Sequence, residues 1–132
     1  MSFLLDTDRC SAYMKGQRAV FNRVVQHSGG LHLSTISLGE LYSWVLREKT
    51  SPKRLAALND LLDDVTVLDI TPEVARRFGE VRASLLDRGL PAPDMDLLNA
   101  ATALVHDLTL VTHNVQDYAN VPALRILDWT TS

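Results

Sequence analysis

Near the start of the chain, Phe3-Leu4-Leu5-Asp6 is a short apolar run that ends at an acid. Such a run is typical of a buried strand that delivers a carboxylate at its carboxyl end. We therefore predict a first strand over residues 2–6. A carboxylate at a buried strand end is unfavourable unless it is paired or bound to a metal ion, so Asp6 is the first candidate site residue.

Further strands and helices alternate along the rest of the chain. Apolar runs predict strands over 31–34, 65–68, 108–111 and 124–127. Helical patterns lie between them over 19–25, from Ser37, from Pro52, from Thr71 to Gly89, and from Asp94 or Asp96 to Leu104. Alternating elements of this kind pair in parallel through right-handed crossovers. The predicted fold class is α/β, a single three-layer α/β/α domain over 1–132 with a central parallel sheet of four to five strands.

Composition restricts the function. The formal net charge of −3 over 132 residues gives no general attraction to phosphates. Cys10 is the only cysteine, which excludes an internal disulfide and a cysteine cluster for structural zinc, and favours a reducing cytoplasm. No apolar run approaches the length needed to span a bilayer, and no secretory signal is visible.

Several acids are expected at one edge of the sheet. In open α/β sheets the ligand crevice forms beyond the carboxyl ends of the strands, where Asp6 and the 112–117 loop emerge. Glu40 and Asp96, each near the start of a helix, can point to the same edge. Two carboxylates at ~6 Å repel by roughly 3 kcal/mol at an effective dielectric of ~20. A bound Mg²⁺ or Mn²⁺ would relieve this repulsion and could activate water against a phosphodiester.

Motifs in a fixed order support this chemistry. They are LLDTD at 4–8, ISLGEL at 36–41, DLLNAATAL at 96–104, LTLVTHNVQDY at 108–118 and VPALRILDW at 121–129. With these motifs the chain resembles the PIN-domain ribonucleases, in particular toxins of the VapC type from type II toxin–antitoxin systems. The similarity runs from end to end, which makes it far more specific than any single motif.

The resemblance implies a Mg²⁺- or Mn²⁺-dependent endoribonuclease that is inhibited by a cognate antitoxin and forms a homodimer. By position, Asp6, Glu40 and Asp96 correspond to the first three acids of the family. The fourth acid of the family usually follows the fourth strand, where Asp117 is the matching carboxylate. The residues expected to support the four acids are Thr7, Asp8, Asp94, Thr112 and Asn114.

Two residues depart from the family pattern. Asp8 stands where many relatives have asparagine, which leaves open whether it joins the metal site. Asn99 stands where an aliphatic residue is common, and we expect it to affect only local packing.

Structural explanations compete with the functional ones at several positions. Glu40 matches an S-x-x-E capping box with Ser37. Asp94 and Asp96 compete for one helix cap, and we assign the cap to Asp94 and the metal to Asp96. For Asp117 the competing explanation is an ordinary solvated loop acid, and we favour the site role. The arginines of one predicted helix form either a solvated face or a contact to RNA phosphates, and they are Arg76, Arg77, Arg82 and Arg88.

Two other functions remain as alternatives. A strand followed by D-x-D also opens phosphoaspartyl hydrolases, but those enzymes need a later basic residue, and Lys53 is the last lysine of this chain. A PIN-like fold could also serve as a non-catalytic binding module. Cleavage of RNA, with single strands or loops as substrate, is the reading that uses all the expected acids.

Overall fold

The fold is described from a computed structural model over residues 2–47 and 52–129. Within these ranges the chain alternates five strands with seven helices. The strands are β1 (Phe3–Leu5), β2 (Leu31–Ser34), β3 (Thr66–Leu68), β4 (Thr109–Val111) and β5 (Ile126–Leu127). The helices are α1 (Thr7–Met14), α2 (Arg18–Gln26), α3 (Thr35–Val45), α4 (Pro52–Asp64), α5 (Pro72–Asp87), α6 (Asp94–Val105) and α7 (Val115–Tyr118).

All strand pairs of the sheet are parallel, in the order β3-β2-β1-β4-β5. β1 is the central strand: Leu4 pairs with His32 of β2 on one side and with Leu110 of β4 on the other. The strand order changes direction at β1, since β2 and β3 lie to one side and β4 and β5 to the other. The prediction of a three-layer fold with four to five parallel strands is confirmed.

Two hydrophobic cores cover the two faces of the sheet. Side chains of β1 alternate between them, with Phe3 and Leu5 in the first core and Leu4 in the second. Buried residues of α1 to α4 complete the first core, and buried residues of α5 and α6 with Tyr118 complete the second. Because β1 is buried on both faces, its carboxyl end carries Asp6 deep into the molecule.

The observed N-cap agrees with the prediction from the sequence at α5 and differs from it at α3 and α6. Thr71 caps α5, and its hydroxyl accepts a hydrogen bond from the amide of Val74 (3.2 Å). The N-cap of α3 is Ser34, which accepts from the amide of Ser37 (3.1 Å). The capping box of Ser37 with Glu40 is therefore wrong, because the helix already begins at Thr35.

The cap assigned to Asp94 is also wrong. The N-cap of α6 is Pro93, and no side chain caps this helix. Asp94 is the first helical residue, and its carboxylate forms an exposed ion pair with Arg82 (3.0 Å). Its position in the first turn still suits the helix dipole.

The sequence patterns also missed two helices and overestimated several strands. Helix α1 was not predicted, because its buried residues are Arg9, Cys10 and Ala12 rather than an apolar stripe. Helix α7 has only four residues. β1 and β5 are shorter than the predicted strands over 2–6 and 124–127. The helix predicted from Pro52 is α4; Ser51, which with Pro52 forms the start signal in the sequence, lies outside the described residues. No helix of the described ranges is long and apolar enough to cross a membrane.

Candidate active site

Asp6 is the most enclosed acid of the candidate site, with 7% of its surface exposed. Its Oδ1 accepts hydrogen bonds from the Thr7 amide (2.9 Å) and from Asn99 Nδ2 (3.2 Å). Its Oδ2 accepts from the hydroxyls of Thr112 (2.8 Å) and Tyr118 (3.1 Å). Four neutral donors thus hold the carboxyl group, and none of them compensates its charge.

The pKa of Asp6 reflects this environment. Burial, and secondarily the charge of Asp8, raise it from 3.8 to about 6. Hydrogen bonds from Thr112, Thr7 and Tyr118 lower the pKa but do not offset the burial. Asp6 is therefore an acid whose ionised form is costly in the absence of a cation.

Asp96 is linked to Asp6 through Tyr118. The Tyr118 hydroxyl lies 3.3 Å from Asp96 Oδ1 and 3.1 Å from Asp6 Oδ2. Partial burial raises the pKa of Asp96, a hydrogen bond from Tyr118 lowers it, and Asp117, Glu40 and Asp8 raise it further. Burial also raises the pKa of Tyr118, as do its two acidic neighbours. The tyrosine therefore stays protonated and can donate to only one carboxylate at a time.

Glu40 faces the first residue of α1. Its Oε1 accepts a hydrogen bond from the hydroxyl of Thr7 (2.7 Å). Because Thr7 also donates its amide to Asp6, this residue positions two of the predicted acids. The side chain of Glu40 thus points toward the site and does not cap its own helix.

Asp8 fastens the loop that follows β4. Its carboxylate accepts from the amide of His113 (3.1 Å to Oδ2) and from Asn114 Nδ2 (3.2 Å). The Thr112 hydroxyl lies 3.4 Å away, and Arg9 Nε forms an ion pair with Asp8 at 3.2 Å. Asp8 is thus committed to holding residues 112–114 beside Asp6.

Beyond these residues a groove opens between α1 and α3, with a cavity volume of about 360 Å³. It has Asp6, Asp8, Glu40 and Asp96 along its acidic part. Its other lining residues are Thr7, Ser11, Lys15, Leu41, Trp44 and Asn114. In the described part of the chain, no ion pair joins Asp6, Glu40 or Asp96 to a basic side chain.

Two predicted site residues lie apart from this groove. Asp94 binds Arg82 and lines a different, small cavity. Asp117 is exposed on α7 and does not line the groove, although its charge reaches Asp96. His113, for which no role was assigned, forms a contact of 3.4 Å with Asp128.

Sequence reasoning missed two residues that organise the acids. Asn99 is 1% exposed and donates from Nδ2 to Asp6 (3.2 Å) and to the Ser37 hydroxyl (3.1 Å), and its Oδ1 accepts a 2.5 Å bond from Ser34. The expectation that Asn99 affects only local packing is therefore wrong. Tyr118, the last residue of the motif at 108–118, had no predicted role. A polar residue on the apolar face of α6 was the available signal for Asn99.

The sequence relationships agree with this geometry. A family model for the PIN domain matches residues 3–124. The chain belongs to the PIN domain family. Asp6, Glu40 and Asp96 of this PIN domain line one groove, and Asp6 follows directly after the carboxyl end of β1.

Similar proteins are named VapC. Ribonuclease VapC2 of Haemophilus influenzae is 29% identical over 98% of this chain and 98% of its own length. The tRNA(fMet)-specific endonuclease VapC of Shigella flexneri is 29% identical over 98% of this chain and 99% of its own length. The predicted resemblance of this PIN domain to VapC ribonucleases is confirmed.

Solved structures of toxin–antitoxin complexes share the fold. DNA-bound VapBC from Salmonella typhimurium superposes with a TM-score of 0.91 at 28% identity, covering 98% of both chains. VapBC2 from Rickettsia felis, bound to a DNA fragment of its promoter, gives 0.90 at 26% identity and covers 98% of this PIN domain and 99% of that chain.

The donor chemistry of the groove suits a hard cation. Among the described residues, no three acidic, histidine or cysteine side chains converge closely enough to hold one ion unaided. Mg²⁺ does not need such a cage, because it is usually bound through one or two carboxylates and retains several waters. The carboxylates of Asp6, Glu40 and Asp96 line one groove without a basic partner, which is the environment that such an ion fits.

Proposed function

We propose that this PIN domain is a VapC-type endoribonuclease, the toxin of a toxin–antitoxin pair, which hydrolyses RNA phosphodiester bonds with a divalent cation, Mg²⁺ or Mn²⁺. The observation that carries the proposal is the set of three carboxylates, on Asp6, Glu40 and Asp96, that line one groove without a basic partner. The VapC names of the relatives give the same enzyme class.

Each acid has a distinct part in the proposed site. Asp6 is the fixed ligand, because four hydrogen bonds leave its carboxylate no freedom to turn. Glu40 and Asp96 are only partly buried and can adjust to the ion and its waters. Asp117 is the proposed fourth acid, and it acts at longer range through its charge near Asp96. When bound, the ion would lower the pKa of an attacking water and stabilise the charge of the phosphate.

The residues around the acids hold them in place. Asn99 and Tyr118 donate hydrogen bonds to Asp6, and Asp8 holds the loop that brings Thr112 to the same carboxylate. Asp8 is proposed as a supporting residue rather than a ligand, because its carboxylate, unlike those of the three proposed ligands, already forms an ion pair with Arg9. Asp94 is left out of the proposed metal site because its carboxylate binds Arg82.

The proposal extends to a substrate and to two partners. Single-stranded or looped RNA is the proposed substrate, and the initiator transfer RNA belongs among the first substrates to test, since one relative is named for it. The proposed partners are a cognate antitoxin, as in the similar VapBC complexes, and a second copy of this chain. A cytoplasmic location is part of the proposal.

Cleavage of RNA tests the proposal directly. Purified protein is incubated with total cellular RNA and with initiator transfer RNA, in Mg²⁺, Mn²⁺ or EDTA, and the products are mapped by end sequencing. We expect discrete cuts that need the cation. Asp96→Asn should lower the cleavage rate by roughly a hundredfold or more, the scale for losing one group that stabilises a transition state.

The matched control is Asp87→Asn, the same change at an exposed acid at the end of α5. It should cleave at the wild-type rate. An Asp96→Asn variant that cleaves like the wild type would overturn the assignment of the site. Absence of any cut under all conditions would favour the alternative of a non-catalytic binding module.

A further inference from the structure

The groove has a second end with a different character. Beyond Thr7, the lining residues of α1 and its C-cap are Asp8, Ser11 and Lys15, which are three and four residues apart and so share one face of the helix. Lys15 lies about 10 Å along the helix from Asp8, since each residue advances the helix by 1.5 Å. On α3 the lining passes from Glu40 to Trp44, one turn further along. The groove therefore runs from the acids to Lys15 and Trp44.

Cations converge on the Trp44 ring at this distal end. Lys15 Nζ lies 5.4 Å and Arg54 Cζ 4.4 Å from the ring centroid, both within the range of a cation–π interaction. Trp44 is partly buried and packs against the first core, which fixes the position of its ring. Lys15 is exposed, and its long stem can turn away from the ring. We refer to Lys15, Trp44 and Arg54 as the distal cluster.

Charge makes this cluster significant for an RNA strand. Every other charged residue that lines the described groove is acidic, and the whole chain carries a net charge of −3. When the reacting phosphate of an RNA lies at the acids, the next phosphate of the same RNA strand lies further along the groove. Proteins that bind single strands combine basic groups for the phosphates with aromatic rings on which bases stack. The distal cluster supplies both, and its Lys15 lies about 10 Å along the helix from Asp8.

We infer that the distal cluster is a nucleotide subsite for single-stranded RNA. Lys15 leaves the Trp44 ring to contact a phosphate, a base stacks on the ring in its place, and Arg54 remains on the ring and adds positive charge. This inference rests on the proposed function, because it assumes that RNA occupies the groove. Lys15 and Trp44 bind and position the strand and take no part in the chemistry.

RNA binding tests the subsite separately from cleavage. The probe is a mixed-sequence, 5′-fluorescein-labelled single-stranded RNA of about a dozen nucleotides. Binding is measured by anisotropy with Mg²⁺ in the Asp96→Asn background, at several salt concentrations. Adding Lys15→Gln should weaken binding about fivefold and reduce the slope of log K against log salt by about 0.7, the value for one phosphate contact on a single strand. Lys15→Arg should restore both quantities.

Trp44 has its own readout. Trp44→Leu should weaken binding roughly tenfold, the scale for one stacked base. Its emission should be quenched by RNA, and Trp44→Phe, which keeps only the buried Trp129, should show no quenching. Thermal melting of each variant checks that the domain is folded.

The matched control is Arg125→Gln, which removes one positive charge from an exposed position just before β5, where Arg125 pairs with the exposed Asp107 and lies outside the groove. It should change neither the affinity nor the salt slope. Equal losses in Arg125→Gln and Lys15→Gln, or unchanged binding in both Lys15→Gln and Trp44→Leu, would overturn the subsite. Failure of the proposed function would appear in the cleavage assay, as absence of cuts by the wild-type protein. The anisotropy measurements on the variants would still decide whether the subsite exists.

Discussion

At the scale of single residues, the burial of Asp6 makes the stability of the metal-free protein depend on pH. Its pKa is about 6 in the folded state against 3.8 without the fold. Between these values the folded state holds a proton that the unfolded state has lost, so the free energy of unfolding falls as pH rises. Above pH 6 this contribution reaches about 3 kcal/mol of lost stability.

Replacing Asp6 by asparagine removes this pH-dependent contribution to the free energy of unfolding, which can be measured. In EDTA, Asp6→Asn should be more stable than the wild type at pH 7.5, and the advantage should shrink toward pH 4.5. The asparagine amide can donate to the hydroxyl oxygens of Thr112 and Tyr118, so the packing is retained. Urea denaturation of both proteins across this range measures the difference. Parallel pH profiles for the two proteins would contradict the assigned burial of the charge.

The candidate acids could be predicted at this scale, whereas their partners could not. Asp6, Glu40 and Asp96 stand in short motifs with a fixed order. Asn99 and Tyr118 contact Asp6 across 93 and 112 residues of sequence, and no local pattern encodes such a separation. Lys15 and Trp44 were missed for the same reason, because only the packing of α1 against α3 brings them to one groove.

At the scale of elements, α1 and the loop after β4 form one unit joined by Asp8. The amide of His113 donates to this carboxylate, whereas the amide of Leu110 belongs to the sheet and donates to the carbonyl of Arg125. For the amide of His113, the carboxylate of Asp8 thus takes the role that a backbone carbonyl has in the sheet.

Asp8→Ala should release this loop without unfolding the sheet. We expect a loss of about 1.5–3 kcal/mol in the free energy of unfolding, as for a hydrogen bond to a charged group. Amide hydrogen exchange should accelerate at His113 and stay unchanged at Leu110. Asp87→Ala serves as the control for removal of an exposed acid. Unchanged exchange at His113 would show that Asp8 does not hold the loop.

Element prediction succeeded where the pattern was periodic or capped. Helix α5 has an apolar stripe, a Thr71 cap, proline at its start and Gly89, with a φ of +68°, after its end, and each signal is local. Helix α1 shares the cap and the following glycine, Gly16 with a φ of +76°, but it lacks the apolar stripe and the proline. It buries the guanidinium of Arg9 where a stripe would show a hydrophobic residue. Its formation depends on tertiary contacts with α2, α3 and α4.

At the scale of the whole molecule, a groove of unpaired carboxylates makes stability depend on divalent cations. An ion that binds only the folded state stabilises it by RT ln(1 + [L]/Kd), about 2.7 kcal/mol at a hundredfold excess over Kd. Thermal unfolding should therefore shift to higher temperature in Mn²⁺ or Mg²⁺. The shift should be much smaller in Asp96→Asn and undiminished in Asp87→Asn.

Ionic strength must be matched with sodium chloride, since any salt relieves repulsion among acids. An equal shift in wild type and Asp96→Asn would argue that the cation binds elsewhere on the molecule.

The architecture as a whole was predictable because alternation of strands and helices leaves few alternatives. The site was predictable to the level of an acidic edge, since strand ends are visible in the sequence. The extent of a single domain over 1–132 stays a prediction.

The alternation of β1 between two cores has a consequence for changes in chain length. Removing one residue from Phe3–Leu5 would turn the remaining side chains toward the opposite core and withdraw Asp6 by about 3.3 Å along the strand. A substitution at Leu4 would disturb one core, whereas a deletion would disturb both and also detach the acid from Thr112 and Tyr118. The position of Asp6 thus depends on the number of residues in β1. The site should therefore tolerate a substitution within this strand better than an insertion or a deletion.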